Sequence, residues 1–329
     1  MAQLPSSQAR AVRLLAAGGT IAMSGEHAVP ALDAASLIEA IPALEQFAQL
    51  EAENVLSLPG PQISLDQALG LSRRAAEAGR AGEGVVITTG TDTLEELAAL
   101  CALTYDGGAP IVLTGANRPA SATGADGPAN LLDAVAVAAN ERAADLGVVV
   151  VFGGEIHAGM SVRKVDSTGP AAFGSPVAGP LGRVVEGRVW LHSRPVLAPP
   201  ITPKGLDHRV SILTATLGDD GELLHAAAQS ADGLVVQALG AGHLPPGMLH
   251  ELRVALARMP AVITCRPERG SMLHATYGFE GAERDLRASG AACAPFLSAP
   301  AARIALLCCL GAGLEGEAIV SALAPWDAI

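Results

Sequence analysis

The sequence predicts an α/β protein of two domains, the larger N-terminal one built on a doubly wound, mostly parallel sheet. Three observations predict this. Short apolar runs alternate with alanine- and leucine-rich helical patterns, the signature of parallel strands joined by helical crossovers. A proline-rich stretch at residues 194–204 interrupts that alternation about two-thirds of the way along. At 329 residues the chain is also longer than a single hydrophobic core ordinarily fills.

In the first domain the expected strands are residues 12–16, 54–58, 85–88, 111–114 and 148–152. The helical patterns between them cover 66–81, 93–105 and 125–140. Thr93-Leu94-Glu95-Glu96 matches a capping box, in which a hydroxyl and a carboxylate satisfy orphan N–H groups at a helix start. It is expected to open the helix at 93–105 and to leave Thr91 and Asp92 on the preceding turn. The prolines between 194 and 204 fix φ and remove backbone donors, so this segment reads as an extended linker. Alternation then resumes with strands at 210–215, 234–237 and 261–264 and helices at 222–230 and 247–259. Two helices at 299–310 and 314–323 close the chain. The expected division is therefore 1–193 for the N-terminal α/β catalytic domain, 194–209 for the linker and 210–329 for the second domain. The larger sheet is expected to be flavodoxin-like and the smaller domain Rossmann-like.

Composition excludes several classes of function. Half the residues are hydrophobic and 16% are charged, with a mean hydropathy of +0.37, which marks a compact globular chain rather than a disordered one. Lys and Arg number 21 against 33 Asp and Glu, a net charge of −12. Nucleic-acid binding requires the opposite, a basic footprint, so no nucleic-acid partner is expected. No apolar stretch approaches the ~18 residues of a membrane helix, and no membrane partner is expected. Residues 1–13 lack the apolar segment of a secretory signal, so the expected location is the cytoplasm. The five cysteines, Cys101, Cys265, Cys293, Cys308 and Cys309, are odd in number, dispersed and without CxxC spacing. Buried thiols in a reducing compartment are expected, rather than a zinc site or a disulfide framework.

Candidate chemistry is concentrated in three places. Ala17-Gly18-Gly19-Thr20 follows the first apolar run, and Gly90-Thr91-Asp92-Thr93 follows the run at 85–87. A hydroxyl there projects from the carboxyl end of a strand, where open α/β sheets bind ligands. The first motif fits neither nucleotide-loop spacing, GxGxxG or GxxxxGK[ST], and alone reads as an ordinary tight turn in which Thr20 caps. The second carries more, because helix capping explains Asp92 or Thr93 but not the run Thr88, Thr89, Thr91 and Thr93. Its functional reading gives Thr91 a site-facing hydroxyl, Asp92 a carboxylate for a ligand ammonium, and a helix-start N–H for an oxyanion. Lys164, in Val162-Arg163-Lys164, reads either as a solvated surface group or as a base that deprotonates a threonine.

Four segments together resemble the bacterial-type L-asparaginase/glutaminase amidohydrolases. They are Ala17–Gly18–Gly19–Thr20–Ile21–Ala22, the run 87–96, the Ala-Asn-Arg-Pro to Ala-Asp-Gly-Pro-Ala-Asn-Leu segment at 116–131, and 162–164. Gly240-Ala241-Gly242-His243 and Thr264-Cys265-Arg266 also fit, so the resemblance covers nearly the whole chain. It implies hydrolysis of L-asparagine to L-aspartate and ammonia without metal or cofactor. Thr20 would be the nucleophile, Lys164 the base, Thr91 the hydroxyl it activates and Asp92 the acceptor for the substrate ammonium. The Thr91 N–H and the backbone around Ala116 would face the oxyanion, and Gln62 would hold the amino-acid end of the substrate. Glu283 falls where the family supplies a carboxylate from a neighbouring subunit; its plainer reading is a surface acid. A homodimer or homotetramer is implied.

Departures from the family pattern narrow this expectation. Pro61 stands where a serine usually grips the α-carboxylate, losing both a hydroxyl and an N–H. Residues 23–32 contain no tyrosine, and the chain has only Tyr105 and Tyr277. His243 replaces an asparagine, Thr89 replaces a histidine, and the loop at 24–31 is short, suggesting a different lid. An amidase acting on glutamine or a related β-amide, or a non-catalytic amino-acid sensor, are the alternatives.

Overall fold

The computed structural model describes residues 10–25, 29–30 and 32–327. The chain divides into two compact units, Met1–Leu197 and Ala198–Ile329.

The first unit is organised by one eight-stranded sheet. Its strands are β1 (Val12–Gly18), β2 (Leu50–Leu58), β3 (Gly84–Thr88), β4 (Ile111–Thr114), β5 (Val148–Phe152), β6 (Glu155–Ala158), β7 (Gly182–Val185) and β8 (Arg188–Leu191). Their spatial order is β2-β1-β3-β4-β5-β6-β7-β8. All pairs from β2 to β5 are parallel. The last three strands add an antiparallel extension. The chain winds outward in both directions from β1, so the topological switch lies between β1 and β3, where such sheets open a crevice for ligands.

Four helices cover the two faces of this sheet. They are α1 (Ala34–Glu39), α2 (Leu65–Arg80), α3 (Leu94–Thr104) and α4 (Gly127–Ala138). Strand residues alternate between the faces. Val12, Leu14 and Ala16 pack with Leu37 of α1 and with Leu131, Ala134 and Val135 of α4. Leu15 and Ala17 join Leu71 and Ala75 of α2 and Leu94, Leu97 and Ala98 of α3. The central parallel strands are apolar throughout because both of their faces are buried.

Three strands of this sheet, β6, β7 and β8, went unforeseen in the sequence, and the reason is local. β5 and β6 are joined by Gly153-Gly154, with φ of 58° and 78°. β7 and β8 are joined by Glu186-Gly187, with φ of 51° and 70°. Two consecutive positive φ values mark the tight hairpin turn that suits the twist of antiparallel strands. β7 and β8 are also only half buried, so neither forms an apolar run.

The expected capping box at Thr93 is not formed. Thr93 has φ −122° and ψ 11° rather than extended backbone, and its side chain accepts no capping hydrogen bond. Its hydroxyl instead lies 3.0 Å from where a Cβ on Gly60 would stand. A complete box does open α2. Ser64 Oγ accepts from the Gln67 N–H at 3.2 Å, and Gln67 Oε1 accepts from the Ser64 N–H at 2.9 Å.

The second unit carries four parallel strands in chain order, β9 (Val210–Thr214), β10 (Gly233–Ala238), β11 (Ala261–Cys265) and β12 (Ala292–Cys293). Its helices are α5 (Glu222–Ala228), α6 (Pro246–Leu256), α7 (Glu283–Ala288), α8 (Ala299–Gly311) and α9 (Glu317–Leu323). Leu224 of α5 and Met248, Leu249 and Leu252 of α6 pack with Val236 and Ile263 of the sheet, while α8 packs on β9, β10 and β11. This is the expected smaller parallel α/β domain, with β12 and α7 in addition. Between β8 and β9, residues 192–209 adopt no regular secondary structure. All five cysteines are buried. Among the described residues no helix is long and apolar enough to cross a membrane.

Candidate active site

The turns that leave β1, β2 and β3 meet backbone to backbone. Gly19 has φ +80°, and a Cβ placed on it would stand 2.3 Å from the Gly90 nitrogen. A Cβ on Gly90 would in turn stand 2.8 Å from the Gly60 nitrogen. Only hydrogen at these positions lets the turns approach so closely. This explains the glycines immediately before Thr20 and Thr91, and the packing of the three turns brings Thr20, Pro61 and Thr91 to the rim of one cleft.

The cleft has a volume of about 180 Å³. Thr20, Pro61, Thr91, Asp92 and Lys164 all line it, together with Asn117 and Ser167. Thr20 begins a single 3₁₀ turn, Thr20–Ala22, whose Ile21 and Ala22 are buried and so direct the hydroxyl-bearing residue outward. Of the four threonines at and after the end of β3, Thr91 is the one at the cleft. Thr88 and Thr89 are fully buried, and neither hydroxyl has a hydrogen-bond partner among the described residues.

Lys164 comes from a two-residue strand, Arg163–Lys164, paired antiparallel with Phe173–Gly174. Its Nζ donates to Thr91 Oγ1 at 2.9 Å and to Asp92 Oδ1 at 2.9 Å. The lysine side chain is only 18% exposed, whereas that of Asp92 is 63% exposed. Thus the cation is drawn into the protein while its carboxylate partner keeps one side toward solvent. The Lys164 N–H donates to Glu95 Oε2 at 3.3 Å. Burial pushes the Glu95 carboxyl up to about 7, against the opposing pull of that N–H.

The opposite wall is braced by carboxylates. Asp126 accepts from the N–H groups of Asn117 and Arg118 at 3.0 and 2.8 Å. Asn130, buried in α4, donates to Gly115 O at 3.0 Å and accepts from the Gly153 N–H at 3.0 Å, tying the turn after β4 to the turn after β5. Asn117 Nδ2 donates to Gly169 O at 2.6 Å. Asp166 Oδ1 accepts from Thr168 and Gly169 N–H, so the loop carrying Ser167 is closed by its own Asx turn. These N–H groups hold the Asp166 carboxyl below its ordinary range.

The remaining expected residues lie elsewhere. Ala116 is fully buried and is not part of the cleft lining, although its neighbour Asn117 is. Gln62 ends the 3₁₀ turn Gly60–Gln62, exposed and off the lining. Of the loop at 24–31, positions 26–28 and 31 lie outside the described residues. Asn117 and Ser167 were not singled out by sequence reasoning. The Asp-Ser-Thr-Gly turn signal at 166–169 was the clue available for Ser167.

His243 and Glu283 belong to the second unit and face each other there. The reading of Glu283 as a surface acid is overturned, since the residue is fully buried at the first position of α7. Its Oε1 accepts from the Thr276 and Tyr277 N–H groups at 2.7 Å each, and its Oε2 is 3.5 Å from His243 Nε2. Burial by itself would raise this carboxyl; the N–H groups of Tyr277 and Thr276 and the nearby His243 bring it below its ordinary range. The His243 ring also contacts Tyr277 edge-on at 5.0 Å and Phe279 at 5.1 Å.

Comparison with known proteins gives this architecture a family. The N-terminal asparaginase model matches residues 11–197, and the glutaminase/asparaginase C-terminal domain model matches residues 209–323. A probable L-asparaginase of Deinococcus radiodurans is 37% identical over 324 residues, covering 96% of this chain and 97% of that protein. A probable periplasmic L-asparaginase of Haemophilus influenzae is 32% identical over 271 residues, covering 78% of this chain and 77% of that protein. Among solved structures, that of a probable cytoplasmic L-asparaginase from Campylobacter jejuni superposes with a TM-score of 0.84 at 28% identity, covering 96% of this chain and 99% of that one. The fold and the relatives define an amidohydrolase. The chain belongs to the asparaginase/glutaminase family.

Proposed function

We propose that this enzyme hydrolyses the side-chain amide of L-asparagine to L-aspartate and ammonia, with Thr20 as nucleophile. The observation that carries the reading is the Lys164 ammonium group, in hydrogen-bond contact with both Thr91 Oγ1 and Asp92 Oδ1 on the cleft that Thr20 also lines. An amide nitrogen is a poor leaving group, so a two-step acyl transfer divides one high barrier into two lower ones. Thr20 Oγ attacks the amide carbon, forming a C–O bond while its proton leaves toward the departing nitrogen. The C–N bond breaks, ammonia departs and an ester on Thr20 remains. Lys164, once it has given up a proton to solvent, takes one from Thr91, and that pair activates the water that hydrolyses the ester. Asp92, with its exposed side, receives the substrate ammonium. The Thr91 N–H, on the turn before α3, supports the oxyanion.

Pro61 on the cleft lining favours a second reading, an amidase for glutamine or for a related β-amide whose α-carboxylate needs no grip at this point. For either substrate we place the enzyme in the cytoplasm as a homodimer or homotetramer. The name of the Campylobacter jejuni protein supports that location, while the Haemophilus influenzae relative carries a periplasmic one.

Ammonia release from L-asparagine, L-glutamine and their derivatives tests the proposal. Thr20→Ala and Lys164→Ala are each expected to lower kcat by about 10²-fold or more, the usual scale of acid–base and nucleophile losses. Activity surviving Thr20→Ala would remove the nucleophile from the scheme. Binding of an amino acid with no ammonia release from any amide would make the protein a sensor instead.

A further inference from the structure

We propose that Glu95 is a positioning residue for Lys164, holding the lysine's backbone so that Nζ reaches Thr91 and Asp92 together. The inference rests on the function proposed above and extends it to a group outside the cleft lining.

Three observations carry it. Lys164 lies in a two-residue ladder that continues only as far as the Val165 and Asp166 N–H groups, both of which donate to Ala172 O. A lysine side chain is long and flexible, so a base delivered by such a strand needs an external anchor. Glu95 is that anchor. It stands on the first turn of α3, three residues after Asp92, and accepts the Lys164 N–H at 3.3 Å across 69 positions of sequence. The helix start that presents Thr91 and Asp92 is thereby tied to the strand that presents their common partner. Fixing Nζ against two acceptors at once requires this tie, because displacement of a catalytic group by about 1 Å can cost 10²-fold in rate.

Ionisation at this position reports on the tie. The carboxyl is mostly buried and pushed up to about 7, with Glu96 raising it further and the Lys164 N–H, Arg163 and Lys164 drawing it down. Glu95 therefore changes charge in the neutral range. The ionised form accepts the shorter, stronger hydrogen bond. Lys164 is held more firmly above neutrality than below it.

The test measures kcat and KM for amide hydrolysis from acid to alkaline pH in wild type, Glu95→Ala, Glu95→Gln and Lys164→Ala. Glu95→Ala is expected to lower kcat by about tenfold or more while KM changes by less than about threefold. Glu95→Gln keeps a carbonyl acceptor in the same shape. It is expected to hold kcat within about threefold of wild type above neutrality and to lose the wild-type rise in kcat near pH 7. A kcat for Glu95→Ala within that same margin of wild type overturns the proposal. So does a Glu95→Gln enzyme as slow as Glu95→Ala, or one that keeps the rise near pH 7. If Glu95→Ala does not fold, the pH profile of Glu95→Gln decides alone. A wild type without amide hydrolysis, or one indifferent to Lys164→Ala, sinks the catalytic reading and this one with it. An active, Lys164-dependent enzyme unaffected at Glu95 sinks only this one.

Discussion

Proline at position 61 is the residue on the cleft lining at which recognition of an α-carboxylate is most directly testable. It follows Gly60 in the turn after β2 and lines the cleft, so its ring meets whatever the cleft holds. It has neither a hydroxyl nor an N–H to offer a carboxylate. Pro61→Ser is expected to lower KM for free asparagine by about tenfold, the equivalent of one hydrogen bond to a charged group. An unchanged or higher KM would mean that the α-carboxylate is gripped elsewhere, with Asn117 and Ser167 the neutral donors at hand on the same lining. At this scale the sequence showed Thr20 and Thr91 readily, because each follows a glycine at the end of an apolar run. The residues by themselves left Lys164 open between a surface group and a base; its pairing with Thr91, across 73 positions, was implied only by the family resemblance, because the contact depends on tertiary packing. They did not show the burial of Glu283, whose flanking Arg284 and Asp285 give it the look of a surface acid.

Among the elements, α4 carries a stored electrostatic cost. Asp133 faces the protein from this helix, and burial pushes its carboxyl up to about 6. A raised carboxylate pKa favours the protonated group in the folded state. The associated stability is full at acid pH and is lost as pH rises through about 6. Asp133→Asn is accordingly expected to raise the thermal midpoint at pH 8, with the gain shrinking toward pH 4. An equal gain at both values would point to a cause other than charge burial. The elements differed in how plainly the sequence announced them. β3, β4 and β5 are buried on both faces and read as unbroken apolar runs. β7 and β8 alternate and are half exposed, so only the Glu-Gly turn between them betrays the hairpin. The capping-box pattern at Thr93 misled because the backbone there, at φ −122° and ψ 11°, is not the extended one an N-cap needs, a feature no local pattern contains.

For the whole molecule, the net charge of −12 makes copies repel one another, most strongly at low ionic strength. The proposed assembly must overcome that repulsion, so association is expected to strengthen as salt screens it. Sedimentation at moderate salt is expected to give two or four times the 33.1 kDa chain mass. A single-chain species that retains full amide hydrolysis would show that each copy holds a complete site. The two-unit organisation was legible because strand–helix alternation stops and restarts around a proline-rich stretch, and the chain between β8 and β9 has no regular structure.

The glycine contacts beneath the cleft divide the positions around it by evolvability. Where one turn touches another through bare backbone, as at Gly19 and Gly90, a mutation has no side chain to trade and no room to add one. The rim is different: Met23, Pro61, Asn117 and Ser167 border the same space with ordinary side chains. A randomised library is therefore best spent on the rim, where a new specificity can be found without remaking the foundation that holds the threonines in place.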